Sequence, residues 1–103
     1  MTLDAFRRLL LRVSPKATRY EGGRTGNYTV WREYKYVRLD GDNQSAERTV
    51  KIQVDRFTKI EDDPEVNAIT DLLDEQDDIA FTYLVDYEHD TGYIHHIWDC
   101  EVA

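Results

Sequence analysis

A chain of 103 residues with 41% hydrophobic and 33% charged side chains has room for one small core, read as a single domain over residues 1–103, and lacks the composition of a disordered or membrane-embedded protein. No apolar run reaches the roughly 18 residues of a transmembrane helix, and a lone cysteine, Cys100, excludes an internal disulfide and a multi-thiolate zinc site, so a reducing, cytoplasmic setting is expected. A net charge of −8 argues against general binding of nucleic-acid phosphates, which depends on Lys and Arg displacing counterions.

The first predicted element is a helix. Leu3, Phe6, Leu9, Leu10 and Val13 recur at helical spacing, Thr2 is placed to cap the start, and Pro15 stops it. Charge lies inside this apolar pattern rather than ahead of it, unlike a signal peptide. EGGRTGN is turn-rich. YTVWREYKYV, aromatic and β-branched, reads as a strand whose two faces are both partly apolar.

After the loop LDGDNQSAE, the stretch RTVKIQVDRF alternates, with Val50, Ile52 and Val54 on one side and Lys51, Gln53 and Asp55 on the other. The two strands predict a hairpin whose tip, about nine residues, exceeds the usual two to five. DDPEVNAITDLLDEQDD is the clearest helix, with Asp63 as cap, Pro64 at the first position, and Val66, Ile69, Leu72 and Leu73 as the buried stripe under an acidic outer face. IAFTYLVDYE and YIHHIWDCEV then predict a second hairpin around Asp90, Thr91 and Gly92, a three-residue loop with Gly where a positive φ is needed. The order helix-strand-strand-helix-strand-strand predicts an α+β fold, a mixed or antiparallel four-stranded sheet with two helices packed on one face. Trp31, Phe81, Leu84 and Trp98 are its core candidates, and Trp31, Tyr34 and Tyr36 suit core or subunit packing better than base stacking.

The closing segment DYEHDTGYIHHIWDCEV concentrates histidine, acid and cysteine, and so invites a metal or catalytic reading. With a three-residue loop, His89 faces Tyr93, and Tyr87 pairs with His95, Asp86 with His96, Val85 with Ile97 and Leu84 with Trp98. Adjacent strand residues point to opposite faces, so His95 and His96 cannot share an ion, and His96 and Cys100 are separated by roughly 13 Å. Asp86 and His96 are left as a cross-strand ion pair. The carboxylates Asp62, Asp63, Asp77 and Asp78 lie at helix ends, where capping and solvation account for them better than Mg2+ does. No nucleophile elbow, HExxH, CxxC or phosphate loop is present, so no catalytic residue, metal or other cofactor is expected, and the chain reads as a non-enzyme.

Charge is unevenly placed. All 13 basic residues fall between Arg7 and Lys59 against seven acids, a formal +6, and the 14 acids after Lys59 meet no base, a formal −14. Such a polar molecule suits a solvated acidic surface, or a basic face on one copy meeting an acidic face on the next.

Taken in order, YTVWREY, VKIQVDRFTK, the acidic helix and FTYLVDYEHDTGYIHHIWDCEV resemble the small tail terminator and tail completion (head-tail joining) proteins of long-tailed bacteriophages and prophages, over roughly residues 3–102. The family pattern runs from a YxVW strand to a strand like IQVDxFTK, an amphipathic helix and a terminal hairpin like YExDTGYIHH.

The resemblance implies a structural virion protein. It would form a homo-oligomeric ring, usually a hexamer, that caps the tail tube, stops elongation and joins tail to head. Its partners would be its own copies, the tail tube protein and a head completion or connector protein. DNA would pass the lumen without specific binding, and no membrane is involved. Its place would be the head-proximal end of the virion tail, reached from the host cytoplasm during assembly.

On this reading Asp40, Asp42, Asn43 and Gln44 at the hairpin tip make subunit or tube contacts, and Asp71, Asp74, Glu75 and Asp78 of the acidic helix meet Arg7, Arg8 and Arg12 of a neighbour. The competing reading is a small acidic binding or inhibitor module that neutralises a basic protein.

Overall fold

The structure, a computed structural model, describes residues 1–23, 25–39 and 47–103. Arg24 and the hairpin tip from 40 to 46, with Asp40, Asp42, Asn43 and Gln44, lie outside the described residues.

Helix α1 spans Leu3–Leu11 and α2 spans Pro64–Asp74, both started as the sequence predicts. Thr2 Oγ1 accepts from the Ala5 N–H at 3.0 Å, and Asp63 Oδ1 accepts from the Glu65 N–H at 3.0 Å. These caps satisfy amides that have no partner inside the helix. Asp62, just before the second cap, carries a positive φ of 53°, a conformation Asp tolerates better than most residues.

The predicted four strands become five. β1 (Thr18–Arg19), β2 (Tyr28–Leu39), β3 (Glu47–Thr58), β4 (Ile79–Tyr87) and β5 (Ile94–Val102) form one sheet in the order β1-β2-β3-β5-β4. β1 joins β2 in parallel and every other pairing is antiparallel, so the sheet is mixed. Two residues paired through Thr18–Val30 and Arg19–Trp31 are too short to leave a periodic signal.

β2 contains a bulge. Arg32 pairs with Gln53 and Glu33 with Ile52, but Lys35 then pairs with Lys51, leaving Tyr34 as the extra residue. An extra residue exchanges the two faces for the remainder of the strand. Hence Trp31 lies beside Val54 before the bulge and Tyr36 beside Val50 after it, which is why the strand reads as apolar on both faces.

The second hairpin is one residue out of the expected register. Tyr87 pairs with Ile94, Asp86 with His95, Val85 with His96, Leu84 with Ile97 and Tyr83 with Trp98. Its turn has four residues rather than three: the Gly92 N–H donates to Glu88 O at 2.8 Å and the Glu88 N–H to Tyr93 O at 2.9 Å, so His89 lies within the turn. Gly92 does carry the expected positive φ, 76°.

The core is one cluster. Phe6 and Leu10 of α1 and Val66, Ile69 and Leu73 of α2 meet Trp31, Ile52, Val54, Trp98 and Cys100. The middle row of the sheet runs Trp31, Val54, Trp98, Tyr83, and its first three side chains are at most 2% exposed. The Trp98 indole N–H is satisfied by Thr70 Oγ1 at 3.0 Å. Of the other core candidates, Phe81 packs against the cluster, whereas Leu84 is 53% exposed: the register shift gives Trp98 to Tyr83 and turns Leu84 to the opposite face.

Candidate functional site

Among the described residues three regions stand out, two that bring polar groups together and one that leaves apolar residues exposed. The first is the histidine-rich hairpin. His95 Nε2 lies 2.7 Å from Asp55 Oδ1 and Nδ1 lies 3.6 Å from Glu88 Oε2, while the ring stacks on Phe57 with centroids 4.1 Å apart. His96 is on the other face, where the Tyr83 hydroxyl and its Nδ1 are hydrogen-bonded at 2.6 Å. Burial, reinforced by the nearby His95 and Arg56 and opposed by Asp63, lowers the His96 pKa from its ordinary value, so the neutral ring is favoured. The predicted Asp86–His96 pair is replaced by these contacts, because His96 stands opposite Val85.

A carboxylate-imidazole pair is part of many catalytic sites, but a general base needs a free nitrogen facing a nucleophile. Both nitrogens of His95 face carboxylates. The arrangement therefore pins β5 to β3 and to the turn. Tyr93 adds to it: its hydroxyl donates to Gly26 O at 2.6 Å, and its ring meets Tyr28 edge-on. Gly22 lets the Tyr28 ring approach, since a Cβ there would fall 2.3 Å from Tyr28 Cε2. Among the described residues no group of three or more His, Cys, Asp or Glu side chains is arranged to hold a metal ion. Cys100 is fully buried, and burial, with Asp99 nearby, pushes its thiol up to about 12.

The second region surrounds Arg56, which is 8% exposed. Its Nε and Nη2 each donate to Asp63 Oδ2 at 3.1 Å, and Nη1 reaches Glu65 Oε2 at 2.6 Å and Thr29 Oγ1 at 3.2 Å. Ser14 Oγ donates to the same Glu65 oxygen at 2.9 Å. Burial opposes ionisation of Asp63, but bonds from Thr58, the Glu65 amide and Arg56 outweigh it and hold the carboxyl below its ordinary value. A cleft of about 440 Å3 opens over Ser14, Thr29, Arg56 and Glu65, with Lys16 and Asn27 also in its lining. Those four floor residues bond to one another, so the network's evident work is to join β2, β3, the start of α2 and the end of α1. Arg56 continues the Val50, Ile52, Val54 parity, and a charge in phase with an apolar alternation is the sequence signal that marks it.

The third region is the outer part of β4. Tyr83, Val85 and Tyr87 are 41%, 49% and 52% exposed on the helix-bearing side, and Leu84 is exposed on the other. Ile79 at the start of the same strand is only 8% exposed, so coverage fails along the strand and not across it. Leu84, expected in the core, is not covered, and neither is Val85. They lie on a sheet edge instead, because β5 is inserted between β3 and β4.

The sequence-predicted contact residues that are described lie on the two helices or just beyond their ends. Arg7 and Arg8 lie 3.3 and 2.8 Å from Asp4 of their own helix, and Arg12 is exposed at its end. Asp71 and Asp74 are exposed on α2 and Glu75 at its C-cap, and Asp78, beyond it, lies 3.9 Å from the Met1 amino group. Part of the charge split closes within the protomer, through Lys51–Glu101 at 3.0 Å and the Arg56 network. No helix among the described residues is long and apolar enough to cross a membrane. No protein-family model matches the chain, and no curated protein matches it at a significant level.

Proposed function

We propose that this protein is a non-enzymatic assembly protein of a phage or prophage tail, a ring subunit that caps the tail tube, stops its growth and offers a surface to the head connector. The observation that carries the reading is the exposed β4 edge, where Tyr83, Val85 and Tyr87 on the helix-bearing side and Leu84 on the other are each left about half exposed. An edge strand with exposed apolar side chains on a small acidic protein points to a macromolecular contact. The order of motifs along the chain supplies the kind of assembly, and two helices with two long hairpins agree with it.

The exposed acids Asp71 and Asp74 on α2 and Glu75 at its C-cap favour a second reading, a module that neutralises a basic protein. Labelled protein added to purified tails separates the two. The terminator reading expects label at one tail end only and tubes of restricted length when the protein is present during assembly. Label spread along the tube, or no effect on length, would sink it.

A further inference from the structure

The sheet has two open edges of opposite chemistry. One is β4, nine residues paired to β5 without interruption from Ile79–Val102 to Tyr87–Ile94. Natural edge strands are guarded by lysine, proline, bulges or short length, and IAFTYLVDY carries none of these. Its only charge is Asp86, and its flanks are acidic, with Asp77 and Asp78 before it and Glu88 after it.

The other edge is β2. The short β1 covers it only at Val30 and Trp31, with one further bond from the Tyr20 N–H to Trp31 O. Beyond this point β2 continues through Leu39 with no described strand on its outer side. Arg32, Lys35 and Tyr36 are exposed there, Tyr36 at 65%.

We infer that β4 of one copy pairs, antiparallel, with the Arg32–Leu39 edge of β2 in the next copy, so that protomers join head to tail through a continuous sheet. The inference rests on the ring reading and names its interface. Three observations favour this occupant. The two free stretches are matched in length, eight residues against nine. Acidic β4 meets basic β2, whereas β4 against β4 of a second copy would bring Asp78, Asp86 and Glu88 from both chains together. The strand directions also fit: β2 is antiparallel to β3, β3 to β5 and β5 to β4, so β2 of a copy in the same orientation runs antiparallel to β4. Such a contact is heterologous, using a different surface on each side, and closes when the rotation between copies divides a full turn.

Sedimentation velocity on three proteins tests this: wild type, Leu84→Lys/Asp86→Lys with a basic β4, and Arg32→Glu/Lys35→Glu with an acidic β2. All four positions are exposed, and near-ultraviolet circular dichroism of the buried Trp31 and Trp98 checks that the fold persists. Wild type should self-associate, each variant alone should do so roughly tenfold or more weakly, and an equimolar mixture of the two should recover association. A monomeric wild type up to its solubility limit overturns the inference, as does a mixture that stays monomeric. Undiminished association of Arg32→Glu/Lys35→Glu alone would instead indicate β4 pairing with β4. Label at the tail end with no edge-dependent association leaves the terminator reading standing and removes this interface; edge-dependent association with no tail binding does the reverse.

Discussion

Trp98 and Leu84 sit on neighbouring strands of one sheet, yet one is fully buried and the other 53% exposed. The helix-covered half, centred on Trp31, Val54 and Trp98, is an ordinary interior with its polar atoms matched; among the described residues no buried side-chain nitrogen or oxygen lacks a partner. The outer half of β4 is as apolar in sequence, and its protomer leaves it open. Composition therefore does not distinguish buried from exposed apolar residues in this chain; distance from the two helices does.

The largest expected difference comes from truncating each half. Trp98→Ala should destabilise the protein by about 3–5 kcal/mol, since it opens a cavity in a packed interior. Leu84→Ala should change monomer stability by no more than about 0.5 kcal/mol and act on association instead. Urea titrations at a concentration where wild type is monomeric decide this; comparable losses would mean that β4 contributes to the core in a way its exposure does not reveal.

Arg56→Leu tests the polar seam of the covered half. It leaves the carboxylate of Asp63, 5% exposed, without its cation, and a broken buried pair costs about 3–5 kcal/mol. Glu65 is more open and adds less, its side chain being 27% exposed. Acidification should partly relieve the defect, because a protonated Asp63 no longer needs a cation. In wild type the sign is the reverse. The folded pKa of Asp63 is depressed, so its contribution is present above the unfolded value near 3.8 and is lost as pH falls through the folded one. A variant whose deficit against wild type does not narrow in acid would contradict this account.

Local rules made much of the covered half legible. Capping by Thr2 and Asp63, the α2 stripe and the β3 alternation all rest on neighbours within a turn or a strand. What escaped depends on partners far along the chain. The bulge at Tyr34 is fixed where β2 meets β3, and its hydroxyl donates to Asp99 of β5 at 2.5 Å, a bond that, with burial, pushes the phenol up to about 12. The insertion of β5 beside β3 is a choice among sheet orders that local pattern does not make. The His95 contacts depend on that insertion, since Asp55 lies on β3, 40 residues away.

Gly92→Ala offers a smaller perturbation at the turn that sets the hairpin register. At φ 76° a Cβ meets no neighbouring atom, so the cost is conformational alone, about 1–2 kcal/mol. Thermal melts should show a modest loss with association intact. A collapse of both would mean that the turn also maintains the β4 edge.

His96 provides the most delicate probe, because it lies where the covered half gives way to the open one. Its ring bonds to Tyr83 and stacks towards Trp98, with centroids 6.3 Å apart. Burial first, opposed by Asp63 and reinforced by His95 and Arg56, lowers its folded pKa below the ordinary 6.5. The unfolded chain thus takes up the proton more readily. The stabilisation from a neutral His96 is complete above about 6.5 and is lost as pH falls from there through the folded value. His96→Gln removes that titration, so the gap in Tm between wild type and variant should narrow as pH falls from about 7.5 to about 5.5. His95→Gln, on the opposite face, removes the Asp55 and Glu88 contacts instead and serves as the control. Parallel Tm curves for wild type and His96→Gln would place this ring in water rather than in the boundary of the core.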